Sequence, residues 1–168
     1  MDVGIDASQG DACQEWRTIW RSAMLVEHIM DRARARLVVI GARASLAEAA
    51  RLMGRPHADL IVVCDGERAA GVVTKSDVVR PVALSRLDPN AGLADLMSRD
   101  IVSCGADDRL IDVWLAMSDH GFSRVPVLDR AKRALGVVYA RDALQALLSD
   151  AEHNEEALRA YVQGVGYH

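Results

Sequence analysis

A hydroxyl and a carboxylate stand three residues apart in the segment 71–77, where an extended run gives way to a helical pattern. At that spacing the side chains of Thr74 and Asp77 point to the same side of the helix start. A carboxylate there can accept hydrogen bonds from two adjacent sugar hydroxyls, and the threonine hydroxyl can donate or accept one. A phosphate nearby would be favoured by the amides of the helix N-terminus. The pair also has a purely structural interpretation, because Asp77 can cap the helix and Thr74 can simply end the strand.

Residue patterns that would support catalysis are missing from the sequence. The five histidines show neither close pairing nor an HExxH arrangement, so no metal site is predicted. No Gly-x-Ser-x-Gly elbow and no Walker loop occurs. Glu48 and Asp112 occupy matching helical positions, which indicates caps and solvent-facing charges. We therefore expect no catalytic residues, no metal, no required cofactor and no enzyme activity, and an enzyme with an unrecognised site is the weakest alternative.

The composition predicts a globular protein that binds neither nucleic acid nor membrane. Of its 168 residues 51% are hydrophobic and 26% charged, and the net charge is -4. Nucleic-acid binding needs a clustered excess of basic residues, and the one short basic run, 32–36, is interpreted as a solvated face. Cys13, Cys64 and Cys104 are odd in number and far apart, which favours reduced thiols. With no secretory signal and no apolar stretch of membrane length, a cytoplasmic location is expected.

The elements that would position Thr74 and Asp77 occur twice, at a spacing of about 65 residues. The matching blocks are 26–30 with 93–97, 45–49 with 109–113, 61–65 with 125–129, and 71–77 with 136–142. Each copy reads strand, helix, strand, strand, helix, with apolar residues at helical spacing in the first helix. Ser45 is a predicted N-cap with Glu48 as its capping-box partner. The predicted strands are short apolar runs, at 37–40, 61–63, 101–103 and 125–127.

One unit of this length is marginal alone, because too small a share of its surface is buried. Two copies packed strand face to strand face solve this problem. The predicted fold is therefore α/β (α+β), with two tandem βαββα units packed sheet to sheet around a pseudo-twofold axis, plus N- and C-terminal helices. The predicted segments are an N-terminal arm and helix at 1–23, unit one at 24–80, a linker at 81–92, unit two at 93–149 and a C-terminal helical tail at 150–168.

Three blocks in a fixed order carry a family resemblance: a helical turn ending in Met, a strand ending in Asp, and Gly-x-x-Thr-x-x-Asp at 71–77. Over residues 24–150 the chain resembles a tandem cystathionine-β-synthase (CBS) domain pair, or Bateman module, of the stand-alone bacterial type. The resemblance implies clefts between the units that take adenosine nucleotides such as AMP, ATP or NAD. It implies that Thr74, Asp77 and Asp142 hold the ribose. It further implies a base pocket of strand residues, namely Val38, Val39, Ile61, Val102, Val125, Pro126 and Tyr139.

The second copy departs from the family pattern at Tyr139, which stands where threonine is expected. The ring can stack on a base or fill the cleft, and both outcomes stay open. Arg124 matches the position of a phosphate-contacting arginine in AMP-binding members, although Ser123 replaces the preceding histidine. The alternative is an arginine paired with a nearby carboxylate. Lys75 and Arg141 are weaker phosphate candidates.

The expected function is regulatory ligand sensing. An adenosine nucleotide would bind between the two units, and occupancy would be passed to an unknown effector protein. The resemblance and the apolar stripes outside the repeats predict a homodimer formed through the CBS units and the terminal helices. The alternative is a structural or protein-interaction scaffold with no nucleotide bound.

Overall fold

A computed structural model describes residues 24–56, 58–83 and 92–164. In order, the elements are a 3-10 turn Val26–Ile29, helix α1 Met30–Ala35, strand β1 Val39–Gly41, helix α2 Leu46–Met53, strand β2 Leu60–Asp65, strand β3 Arg68–Thr74, helix α3 Lys75–Ala83, a 3-10 turn Leu93–Asp95, helix α4 Leu110–Asp119, strand β4 Arg124–Leu128, strand β5 Ala134–Tyr139 and helix α5 Ala140–Gly164. The predicted N-terminal arm and helix lie outside the described residues, as does most of the predicted linker. Within the described ranges, no helix is both long and apolar enough to cross a membrane.

The two sheets pack face to face, as the duplicated pattern predicts. In the first unit β1 pairs with β2 in parallel and β2 pairs with β3 antiparallel, and in the second unit β4 pairs with β5 antiparallel. Successive side chains of a strand point to opposite faces. Leu60 and Val62 of β2 accordingly meet Val137 and Tyr139 of β5 in one shared cluster. The predicted fold class is confirmed.

Two elements differ from the prediction. The strand expected at 101–103 does not form, and only an isolated parallel bridge joins Cys104 to Val127. The side chain of Val102 is exposed and packs on no apolar face. The segment therefore runs beside β4 and forms no continuous ladder of hydrogen bonds with it. The helical tail expected from residue 150 is not a separate helix, because α5 runs unbroken to Gly164. No glycine or proline interrupts the sequence between Ala140 and Gly164, so nothing ends the helix earlier.

The first helical turn of each copy packs on the opposite unit. Val26 N–H donates to the carbonyl of Asp108 at 2.9 Å, and Leu110 N–H donates to that of Met24 at 2.8 Å. The turn Val26–Ile29 and helix α1 thereby enter the core of the second unit, and their buried side chains are Val26, Ile29, Met30 and Ala33.

The first turn of the second copy packs on the first unit in the same way. Leu93 N–H donates to the carbonyl of Ala44 at 3.2 Å, and its side chain is fully buried in the core of the first unit. Ser98 pairs with Val72 at the edge of the first sheet through two backbone hydrogen bonds of 2.9 Å. Each hydrophobic core is therefore completed by a segment from the other copy.

The glycines at the start of the repeated motif mark the places where the exchanged segments cross the strands. A Cβ on Gly71 would lie 2.6 Å from the sulfur of Met97 and 2.9 Å from the carbonyl oxygen of Ser98. A Cβ on Gly136 would lie 2.9 Å from both the carbonyl carbon and the Cβ of Ala33. Only a residue without a side chain permits such close approach.

Helix α2 begins with the predicted capping box. The Ser45 hydroxyl accepts from Glu48 N–H at 3.3 Å, and the Glu48 carboxylate accepts from Ser45 N–H at 2.8 Å. The backbone hydrogen bond from Ser45, followed by the bond from its hydroxyl, lowers the pKa of Glu48. A carboxylate with a lowered pKa contributes stability that is lost as the pH falls through that lowered value. The capping box is therefore intact at neutral pH.

Replacing Ser45 with alanine is expected to lower the free energy of unfolding by about 1 kcal/mol, because the helix loses its N-cap acceptor. Urea denaturation followed by circular dichroism measures this change. Ser118→Ala is the matched control, since Ser118 is exposed inside helix α4, where alanine is at least as good a helix former. A loss as large for Ser118 as for Ser45 would contradict the capping account.

Candidate functional site

Thr74 and Asp77 lie together at the junction of β3 and α3. The Asp77 carboxylate accepts two hydrogen bonds at Oδ2, from Thr74 N–H at 2.8 Å and from the Thr74 hydroxyl at 2.6 Å. The structural role of Asp77 is therefore realised, because its carboxylate accepts a hydrogen bond from the residue before the helix, as that of Glu48 does in α2. Within the described residues both hydrogen bonds of Asp77 lie on Oδ2, which leaves Oδ1 open, and the Thr74 oxygen keeps its lone pairs. Both atoms can accept from sugar hydroxyls.

A charged cluster adjoins this pair. Asp59 Oδ1 lies 2.5 Å from Lys75 Nζ, and Asp59 Oδ2 lies 3.2 Å from Arg124 Nη2. Arg124 also donates from Nη1 to the Ser123 hydroxyl at 3.2 Å, while its Nε is buried without a hydrogen-bond partner. The two cations proposed to contact a phosphate are thus already held by one carboxylate, as the paired alternative for Arg124 foresaw.

The corresponding position of the second copy is occupied by an ion pair. Asp142 is buried and accepts from Arg36 Nε at 2.6 Å and from Arg36 Nη2 at 3.2 Å. The Arg36 guanidinium carbon lies 4.3 Å from the centre of the Tyr139 ring, and that of Arg124 lies 5.2 Å from it. These are cation–π distances. The buried Tyr139 ring therefore contacts both charged clusters.

Arg36 was missed at the sequence level. The basic run 32–36 was interpreted as a solvated face, and Arg32 and Arg34 are indeed exposed. Arg36 is different, because only 15% of its side chain is exposed. The available signal was its position at the end of the basic run, shortly before the first strand.

The predicted base-pocket residues are not brought together. Ile61 and Val125 are buried in two separate cores that face the helices. Pro126 is also fully buried, whereas Val39 and Val102 are exposed. The remaining two are Val38, which is half-buried beside the first core, and Tyr139 in the cluster described above. Arg141 is exposed and reaches only to 3.9 Å from Asp142.

A separate groove of about 460 Å³ opens where the two hairpins meet the edge of β1. Its lining includes Val39, Cys64, Glu67 and Arg133. Burial raises the pKa of the Cys64 thiol, and burial raises that of Cys104 to about 12. Both thiols are therefore poor nucleophiles at neutral pH. The residues that the structure describes contain no group of three side chains able to hold a metal ion.

The comparisons with known proteins agree with this architecture. The family model described as CBS domain matches residues 26–83 and 93–149. A 17.7 kDa uncharacterized protein in the bps2 3' region of Acidianus ambivalens is 28% identical over 117 residues, which cover 69% of this chain and 70% of that protein. Three further curated relatives are an uncharacterized protein of Methanocaldococcus jannaschii, 31% identical, and two proteins named homoserine O-acetyltransferase, from Methanohalophilus mahii at 31% and from Methanosphaera stadtmanae at 30%. The matches cover 55 to 62% of this chain but only 19 to 32% of the length of those three proteins.

Two of the solved structures that this chain resembles contain bound ligands. A CBS domain pair in complex with 5'-methylthioadenosine and S-adenosyl-L-methionine superimposes with a TM-score of 0.64 at 21% identity, covering 77% of this chain and 98% of that one. The cytosolic domain of the Mg²⁺ channel MgtE in complex with ATP gives 0.58 at 24% identity, covering 71% and 52%. At these identities the likeness concerns the fold, and the ligands belong to those proteins.

Proposed function

Because this chain belongs to the CBS domain family, with two tandem copies, we propose that it is a regulatory module that binds one adenosine-containing ligand. The ligand lies in the cleft beside Thr74 and Asp77, with the ribose hydroxyls donating to Asp77 Oδ1 and Thr74 Oγ1. The observation that carries the proposal is the hydroxyl and carboxylate at the start of α3, joined to each other and next to two cations.

The proposal places one ligand in each chain rather than two. The counterpart carboxylate, Asp142, is already paired with Arg36, and Tyr139 replaces the threonine hydroxyl. A ribose at this second position would have to break a bidentate ion pair and displace an aromatic ring. The cost of exposing those buried groups favours a closed second cleft.

Relatives of the same fold support an adenosine ligand, since the ligands bound to two of them share that group. AMP, ATP and NAD remain the proposed candidates, together with S-adenosyl-L-methionine and 5'-methylthioadenosine. The module acts by ligand-dependent population of two arrangements and not by turnover. We further propose a cytoplasmic homodimer that passes occupancy to an effector protein.

Isothermal titration of the purified chain with these five ligands tests the proposal. We expect saturable binding of at least one, and at least a tenfold weaker affinity in Asp77→Ala, because a hydrogen bond to a charged acceptor is lost. Glu48→Ala is the matched control, since Glu48 makes the same type of capping bond in α2. Equal weakening in both variants would indicate a capping effect alone.

The alternative is a protein-interaction scaffold without a nucleotide. The observation that favours it is that the charged groups of the site are already paired with one another. Asp59 pairs with both cations, and Arg36 pairs with Asp142. No heat with any of the five ligands would support this alternative and overturn the first.

A further inference from the structure

Among the residues that the structure describes, Asp59 is the one acidic side chain that lies between the two cations of the proposed site. It lies directly before β2, and its side chain is 22% exposed. Its two oxygens have separate partners, Oδ1 with Lys75 and Oδ2 with Arg124. One carboxylate therefore occupies the position between the two cations that a ligand phosphate would take.

The cations are close to the sugar-binding pair along the chain. Lys75 directly follows Thr74 and is the first residue of helix α3. Arg124 reaches the same place from the other unit, where it begins β4. We therefore expect a ligand whose ribose lies at Thr74 and Asp77 to direct its 5' substituent toward Asp59 and both cations.

Arg124 is incompletely used in this arrangement. Arg124 donates to Asp59 from Nη2, whereas Arg36 donates to Asp142 from both Nε and Nη2 in the other cluster. Arg124 Nε has no hydrogen-bond partner. A guanidinium favours a bidentate oxyanion on its Nε and Nη2 edge. The Asp59 pair is therefore the weaker of the two and the one that a competing anion can replace.

The pseudo-twofold relation shows which residue of the second copy corresponds to Asp59. Leu60 pairs with Thr74, and Arg124 pairs with Tyr139 in the same register, so Asp59 corresponds to Ser123. The second copy has a hydroxyl where the first has a negative charge. The charge is therefore a feature of one copy and is not required by the repeated fold.

We propose that Asp59 determines ligand specificity, by acting as an internal anion that competes with the phosphate of an adenosine ligand for Lys75 and Arg124. This inference rests on the proposed function and names the class of ligand: adenosine ligands with an uncharged or positively charged 5' substituent bind with less penalty than phosphorylated ones. A phosphate has to displace the carboxylate and then remain beside it, and like charges at that distance repel.

Titration of adenosine and of AMP into the wild-type chain and into Asp59→Asn tests the inference. We expect AMP to bind about tenfold more tightly to the variant, a change of about 1.4 kcal/mol, while the affinity for adenosine changes less than twofold. Asp65→Asn is the matched control, because it removes the same charge at the exposed opposite end of β2. Both affinities should be unchanged in that control.

An unchanged ratio of AMP to adenosine affinity in Asp59→Asn would overturn the inference and leave the proposed function standing. A loss of AMP affinity would also overturn it, since Asp59 would then organise the cations for the ligand. If neither ligand binds to the wild type or the variant, the inference fails, whereas the proposed function is overturned only when none of the five ligands named above binds. Asp59→Ser, which copies the second repeat, provides an independent variant, and circular dichroism verifies that each is folded.

Discussion

Asp142→Ala is expected to lower the free energy of unfolding by about 3 kcal/mol, because it leaves Arg36 charged and without its carboxylate partner. Only 15% of the Arg36 side chain and 8% of that of Asp142 are exposed. The bond also links Arg36, the residue that follows α1, to the first turn of α5. Its loss therefore weakens the contact between an exchanged segment and the unit on which it packs. Urea denaturation at constant pH measures the change.

The surface pair of Asp31 and Arg34 provides the control. Both side chains are well exposed, and their atoms are 3.6 Å apart. Solvent-exposed pairs contribute little, so Asp31→Ala should leave the denaturation midpoint almost unchanged. The double variant Arg36→Met with Asp142→Leu should recover most of the lost stability, since it removes both charges together. If Asp142→Ala costs no more than Asp31→Ala, the pair does not stabilise the interface between the two units.

Gly136→Ala is expected to lower the free energy of unfolding by about 2 kcal/mol, in the range seen for overpacked cores. The added Cβ would meet the backbone of Ala33 at 2.9 Å, and a backbone cannot move aside as the end of a flexible side chain can. Helix α1 would therefore shift away from β5. Thermal or urea unfolding with the wild type as reference measures the effect.

Gly41→Ala is the matched control for this substitution. Gly41 ends β1, and a Cβ there would have no atom within 4 Å. A loss at Gly136 with none at Gly41 assigns the effect to the crossing of α1 over β5. Equal losses would instead indicate a general cost of replacing glycine in strands, which would contradict the steric account.

The fold was largely predictable because its determinants are local. Short apolar runs identified β2 and β4, and the spacing of Ser45 and Glu48 identified the start of α2. The strand expected at 101–103 failed because strand formation depends on a partner and a face to bury. Sequence periodicity specifies neither the partner strand nor the surface to be buried, whereas a helix forms its hydrogen bonds within its own segment.

The site was predictable only where its residues are neighbours in sequence. The contact between Thr74 and Asp77 follows from a separation of three residues. The contact between Arg36 and Asp142 spans 106 residues and depends on the exchange of the first turn. Nothing in the repeat pattern reports that exchange, because each turn directly precedes the strand of its own copy.

Asp59 illustrates a further limit of sequence reasoning. In the sequence, Leu60 stands at the repeat position of Arg124, so this place in the first copy shows only the lack of a cation. In the structure the Asp59 carboxylate accepts a hydrogen bond from Arg124 of the other unit. Long-range electrostatic pairing is a property of the assembled pair of units.

The reciprocal crossing of the first turns makes the two units depend on each other. Either unit expressed alone would lack the segment that completes its core, which contains Leu93 in the first unit and Val26 in the second. A lone unit could complete its core only by exchanging these segments with a second copy of itself. The smallest part of the chain expected to fold is therefore the pair of units.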